Sequence, residues 1–115
     1  MSDGRLYHNP RCSKSRATLA LLQERGVEAE TRLYLDTAPS ADEVRELLRL
    51  LGGSPLQLVR HKEAEYAESG LSADSDADAV AEAIARFPKL LERPVVVRGD
   101  RAIIGRPPEN VLELL

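Results

Sequence analysis

The chain's only cysteine, Cys12, sits in the stretch Tyr7-His8-Asn9-Pro10-Arg11-Cys12-Ser13-Lys14-Ser15-Arg16. That stretch falls between a β-like run and a helix-like run. A cysteine at such a junction meets the free backbone N–H groups and the positive dipole end of the helix. Arg11, Lys14 and Arg16 add cationic charge close by. Both effects favour thiolate over thiol. The same N–H groups can hold an oxyanion. One local structure therefore combines a nucleophile with a binding site for an anionic substrate. The competing reading is a small buried hydrophobe, common for free cysteine, but the flanking residues are polar and cationic. His8, four residues before Cys12, either fills a pocket beside the helix or tunes the thiol, and the sequence leaves both readings open.

Spacing excludes several thiol chemistries. A phosphatase-type loop needs Cys-x5-Arg, and the residue six after Cys12 is Thr18; here the pattern is Cys12-x3-Arg16. A dithiol oxidoreductase carries Cys-x-x-Cys where this chain has Cys12-Ser13-Lys14-Ser15. No disulfide can form inside the chain, so any redox cycle uses an outside thiol. His8 and His61 are the only other soft ligands, which excludes a cysteine-rich zinc site, and no metal is expected.

The elements that must position Cys12 follow from periodicity. Arg5–His8 predicts a strand, broken by Asn9-Pro10. A helix is expected over about Ser13–Arg25, stopped by Gly26, and Glu30–Leu35 alternates as a second strand. Ser40 and Glu43 form a capping-box start. Val44, Leu47, Leu48 and Leu51 follow with amphipathic spacing, which fits core packing better than a partner surface. Short helical pieces are expected at Pro55–Arg60 and Glu63–Glu68, and a helix from near Ser75 to Pro88. Pro94–Val97 and Arg101–Ile104 flank a Gly turn and predict a hairpin. In that position Arg98-Gly99-Asp100, which spells an integrin-binding tripeptide, is simply the turn. Pro107-Pro108 opens a last helix carrying Val111, Leu112 and Leu115. The order β-α-β, helical block, β-β-α suits an α/β fold, a small mixed sheet with helices on its faces.

Composition bounds the rest. The 115 residues fit a single domain, and 43% hydrophobic content is ordinary for a globular one. With 16 Lys and Arg against 19 Asp and Glu, the net charge of −3 gives no footprint for nucleic acid. No apolar run approaches the roughly 20 residues that span a bilayer, and the N-terminus shows no signal region. A small cytoplasmic domain is expected, with no membrane partner.

The segment His8–Arg16 resembles the active-site motif of the glutaredoxin-coupled arsenate reductase family. Further matches follow in order: Leu33-Tyr34-Leu35, Val59-Arg60-His61-Lys62-Glu63, Glu92-Arg93-Pro94-Val95-Val96-Val97 and Ile104-Gly105-Arg106-Pro107-Pro108-Glu109. The resemblance implies a thioredoxin-like fold of about four strands, a single domain over 1–115 with a helical insertion over about 40–91. It implies Cys12 as the nucleophile and Arg60, Arg93 and Arg106 as the oxyanion-binding arginines. Without it, each arginine would read as a solvated surface side chain. His8, Asn9, Ser15, Arg16 and Pro94 fall at supporting positions, and Pro94 matches the family's cis-proline. The implied activity is reduction of arsenate to arsenite, with glutathione as co-substrate, glutaredoxin as partner and no bound cofactor. The chain reads Cys-Ser-Lys-Ser-Arg where the best-known members resemble Cys-Gly-Thr-Ser-Arg, and its Asn-Pro-Arg-Cys-Ser-Lys-Ser motif marks a subgroup. Two alternatives stand beside this reading. One is a glutathione-linked thiol-disulfide oxidoreductase. The other is a redox-responsive regulator that binds RNA polymerase, although such regulators carry the Cys-x-x-Cys that Ser15 interrupts.

Overall fold

The computed structural model describes residues 4–115. The chain divides into two compact units, one built from the chain up to Tyr34 together with Arg93–Leu115, the other from Leu35–Glu92.

The first unit holds β1 (Gly4–His8), α1 (Ser13–Glu24), β2 (Ala29–Leu33), β3 (Val95–Arg98) and β4 (Arg101–Ile104). The four strands form one mixed sheet in the order β2-β1-β3-β4. β1 runs parallel to β2 and antiparallel to β3, and β3 runs antiparallel to β4. The central strands carry consecutive buried residues instead of alternating ones: Leu6, Tyr7 and His8 in β1, Val95 and Val96 in β3. Such runs are what a strand shows when both its faces are covered. Leu6 and Val96 join Leu22 of α1, Val27 and Val111 in one buried cluster.

Register decides what meets at the sheet's end. Tyr7 pairs with Val95, and Val95 pairs with Ile104. The loop after β1, the residues before β3 and the residues after β4 therefore emerge side by side. Those three segments carry Cys12, Arg93 and Arg106. Gly105 closes the seam by donating its N–H to the Pro94 carbonyl at 2.9 Å. A Cβ at Gly105 would lie 2.7 Å from Thr18 Oγ1 and 2.9 Å from Pro94 Cγ. Only glycine permits that approach. The Arg93–Pro94 and Arg106–Pro107 peptide bonds are both cis.

The second unit holds α2 (Ala41–Leu51), α3 (Glu65–Ser69) and α4 (Ala77–Arg86), with 3-10 turns at Pro55–Leu58 and Pro88–Leu90. Ser40 caps α2 as expected, accepting the Glu43 N–H at 3.1 Å. Val44, Leu47 and Leu48 are buried, as are Val80, Ala81, Ala83 and Ile84 of the α4 helix that packs on α2. Arg45 lies between Asp42 and Asp78 at 2.7 and 2.8 Å. An exposed pair of this kind contributes little stability.

Several boundaries differ from the sequence reading. β2 ends at Leu33 because Tyr34 turns inward and is fully buried. α4 is capped by Asp76, which accepts the Ala79 N–H at 2.9 Å, so the helix starts after Ser75. Residues 55–60 and 63–68 resolve into the shorter Pro55–Leu58 and Glu65–Ser69 pieces. The last helix is 3-10 instead of α, over Pro108–Leu114. Two turns gain little from α-helical cooperativity, and 3-10 geometry is used in such short pieces.

Gly105→Ala should destabilise the protein by about 1–3 kcal/mol through overpacking. Because the tightest part of the clash is with Thr18, the double variant Gly105→Ala/Thr18→Ala should lose less than the sum of the two single changes. Urea midpoints of the four proteins measure both effects, and strict additivity would contradict the contact.

Candidate active site

The loop between β1 and α1 is held by its own polar groups. Asn9 accepts the Arg11 N–H on Oδ1 at 3.0 Å and the Cys12 N–H on its carbonyl at 3.0 Å. The Ser15 hydroxyl, fully buried, accepts the Asn9 N–H at 3.1 Å and shares a 2.6 Å hydrogen bond with His8 Nδ1. Arg16 reaches back over the loop and donates to the Pro10 carbonyl at 3.0 Å. The sequence Asn-Pro-Arg-Cys-Ser-Lys-Ser thus folds into a self-braced turn. Its asparagine and buried serine do the bracing, and the cysteine is left half-buried beside them.

Cys12 occupies the N-cap of α1 with extended backbone, φ −92° and ψ 123°, and is half-buried. Burial by itself would push its thiol up. The Ser15 N–H, the Arg93 side chain and the Lys14 N–H face the sulfur and outweigh burial, so the thiol lies below the ordinary cysteine value. This is the helix-terminus and cation arrangement that stabilises a thiolate. His8 is also lowered, first by burial and then by the charge of Arg16, and both favour the neutral imidazole over the charged one. Its Nδ1 is engaged by Ser15, so His8 reaches Cys12 through Ser15.

Arg106 stands beside the sulfur. Its Nη1 donates to the Arg93 carbonyl at 3.0 Å and lies 3.9 Å from Cys12 Sγ. Cys12, Arg93 and Arg106 are therefore together in one unit, with Pro94 following Arg93 and bonded through its carbonyl to Gly105. A helix N-terminus and two guanidiniums around one sulfur can attract and orient a tetrahedral oxyanion.

Arg60 belongs to the second unit. An isolated antiparallel pairing of Val59 with Leu91 positions it, supported by Arg60 N–H to Leu90 O at 2.8 Å and Glu92 N–H to Leu58 O at 2.7 Å. The pairing sets the Arg60 guanidinium against Glu63 at 3.1 Å and Glu92 at 3.5 Å. The two carboxylates were not foreseen from the sequence. Glu63 was within reach of a spacing argument, since three residues from Arg60 is a helical-turn separation. Glu92 comes from a long-range pairing that local patterns do not reveal. The Lys14 and Ser15 N–H groups at the sulfur are the helix-start donors that the position of Cys12 implied. Among the described residues, no group of three or more His, Cys, Asp or Glu side chains is arranged to hold a metal ion. No helix among them is long and apolar enough to cross a membrane.

The ArsC family model matches residues 7–114. The chain belongs to the ArsC family. An Escherichia coli K12 protein named YfgD, described as uncharacterized, is 51% identical over 113 residues, 96% of this chain and 95% of that one. A protein named arsenate reductase from Neisseria meningitidis serogroup A is 46% identical over 117 residues and covers both chains fully. The solved structure described as arsenate reductase from Vibrio cholerae superposes with a TM-score of 0.90 at 45% identity, covering 97% of each chain. The fold is the thioredoxin-like ArsC fold, with its four-stranded mixed sheet.

The thiol assignment has a direct consequence. Alkylation of Cys12 should show a pH midpoint below the free-cysteine value of about 8.5. Removing the cation in Arg93→Met should move the midpoint up, since Arg93 favours the charged form. A midpoint unchanged by that substitution, read from iodoacetamide rates across pH, would remove Arg93 from the sulfur's environment.

Proposed function

We propose that this ArsC-family protein is an arsenate reductase, an oxidoreductase that uses Cys12 as its nucleophile. The observation that carries the reading is the convergence of a stabilised thiolate, the α1 N-terminus, Arg93 and Arg106 at one end of the sheet. The full-length relative and the solved structure named as arsenate reductases support it. The oxyanion enters against the α1 N–H groups and the guanidiniums, whose planar forks suit tetrahedral oxyanions. The Cys12 thiolate attacks arsenic and displaces hydroxide, which leaves protonated as water. Arsenic is still As(V) in that adduct. Glutathione then attacks arsenic in the adduct and displaces a second hydroxyl as water. A glutaredoxin thiolate takes the glutathionyl sulfur as a mixed disulfide, and the electron pair of the broken sulfur–arsenic bond stays on arsenic. Two thiol sulfurs end oxidised in that disulfide, and their two electrons take As(V) to As(III). Water then hydrolyses the remaining Cys12–arsenic bond, which releases arsenite and restores the Cys12 thiol.

An outside reductant fits the chain's chemistry, because Cys12 is its only cysteine. The reducing cytoplasm supplies such thiols. The resemblance alone brings Arg60 into this reading as an oxyanion-binding arginine; within its own unit its guanidinium pairs with Glu63 and Glu92. His8, Asn9, Ser15 and Arg16 serve by bracing the loop that presents the sulfur.

Arsenate reduction with glutathione and glutaredoxin should vanish in Cys12→Ser and stop without glutathione. Arg93→Lys and Arg106→Lys should each lose about one to two decades in kcat/KM, the loss expected for one hydrogen bond to a charged group at about 1.5–3 kcal/mol. A glutathione-linked disulfide reductase would behave differently, with disulfide exchange and arsenate reduction falling together or both surviving. Full arsenate activity in both lysine variants would overturn the oxyanion assignment.

A further inference from the structure

Arg106 is anchored on both sides along the main chain. On the N-terminal side, Gly105 donates its N–H to the Pro94 carbonyl at 2.9 Å and sits against Thr18, Pro94 and Val111. On the C-terminal side the next two residues are Pro107 and Pro108. Proline has no N–H, so neither offers the Arg106 carbonyl a main-chain donor. The Asn110 side chain does: its Nδ2 donates to the Arg106 carbonyl at 3.1 Å. The Asn110 backbone N–H also bonds the Pro107 carbonyl at 3.0 Å, so the side chain leaves from a fixed point. At the far end of Arg106, Nη1 is held by the Arg93 carbonyl at 3.0 Å.

We infer that Asn110 is a positioning residue for the oxyanion clamp, fixing the main chain from which Arg106 extends toward the sulfur. The inference rests on the arsenate-reductase reading above. An arginine side chain has several rotatable bonds, and its reach to a substrate oxygen depends on where its backbone stands. Loosening the Arg106 carbonyl should therefore weaken oxyanion binding while disturbing the thiolate less than loss of Arg93 does, because the Ser15 and Lys14 N–H groups and Arg93 still favour the charged sulfur.

The test compares Asn110→Ala, Asn110→Asp and Asn110→Ser with the parent in the full chain. Aspartate keeps the shape of asparagine but offers no donor at neutral pH. Serine keeps a donor able to reach a carbonyl four residues back. Inorganic phosphate, a tetrahedral oxyanion that thiols do not reduce, is used to protect Cys12 from iodoacetamide. The Ala and Asp variants should need about two- to tenfold more phosphate for half-protection, the range one neutral hydrogen bond supports. Their KM for arsenate should rise by the same factor with kcat within about twofold. Their alkylation midpoint without phosphate should move up by less than that of Arg93→Met, and the Ser variant should stay near the parent throughout. Unchanged protection in the Ala and Asp variants, with protection weakened in an Arg106→Lys control, would overturn the role of Asn110 alone. Unchanged protection in that control as well would overturn the oxyanion reading beneath it. A midpoint shift as large as that of Arg93→Met would overturn the inference too, since Asn110 would then be acting chiefly on the thiol. If Asn110→Ala fails to fold, the comparison of Asp with Ser decides.

Discussion

A half-buried thiol that must ionise more readily than an ordinary cysteine is the demand around which the Cys12 end of this protein is organised. Burial alone would oppose it. A charge held in reduced solvent needs donors that are already in place, because mobile ones would have to be ordered each time. The chain meets that need with fixed dipoles first, the N–H groups at the start of α1, and with Arg93 beside them. Fixed N–H donors carry no counter-charge of their own to be displaced. When an oxyanion arrives, they remain where they are.

The sheet makes the second contribution. The sulfur and the Arg106 guanidinium are 94 residues apart in sequence. They meet because β3 and β4 run antiparallel in a register that pairs Tyr7 with Val95 and Val95 with Ile104. A one-residue slip in an antiparallel pairing sends every side chain to the other face. The buried Leu6–Val96 pair guards against this slip, because slippage would turn core residues outward. Site geometry here is thus a by-product of core packing a few residues away from the chemistry.

Much of this was legible in the residues, and the legible parts are local. The Ser40 cap, the buried stripe of α2 and the turn at Gly99-Asp100 each follow from a few neighbouring residue types. Cys12 at a helix start was legible for the same reason. The convergence of Arg93 and Arg106 was not, since nothing near either arginine in sequence points to a thiol; only the family resemblance singled them out. The Val59–Leu91 pairing behind Arg60 is not legible in the sequence because it is a single bridge between two turns, with no alternating run to announce it. The sequence leaves His8 between two readings, and the structure shows an imidazole that is buried and bonded to Ser15. The 3-10 character of the last segment turned on a competition between two hydrogen-bond patterns too close in energy for composition to decide.

Ser15 also bears on which enzymes this chain can evolve into. It stands where a dithiol enzyme keeps its second cysteine, and serine and cysteine codons differ by a single base. Here, however, the Ser15 oxygen is fully buried and ties Asn9 and His8 together at 3.1 and 2.6 Å. Sulfur is larger and a weaker acceptor, so the same mutation that adds a resolving thiol loosens the turn presenting the first one. Adding a second thiol at Ser15 would take away the hydroxyl that holds Asn9 and His8. Dependence on an external thiol is therefore written into the loop as well as into the cysteine count: the residue that would have to become the second cysteine is already committed to holding the turn that presents the first.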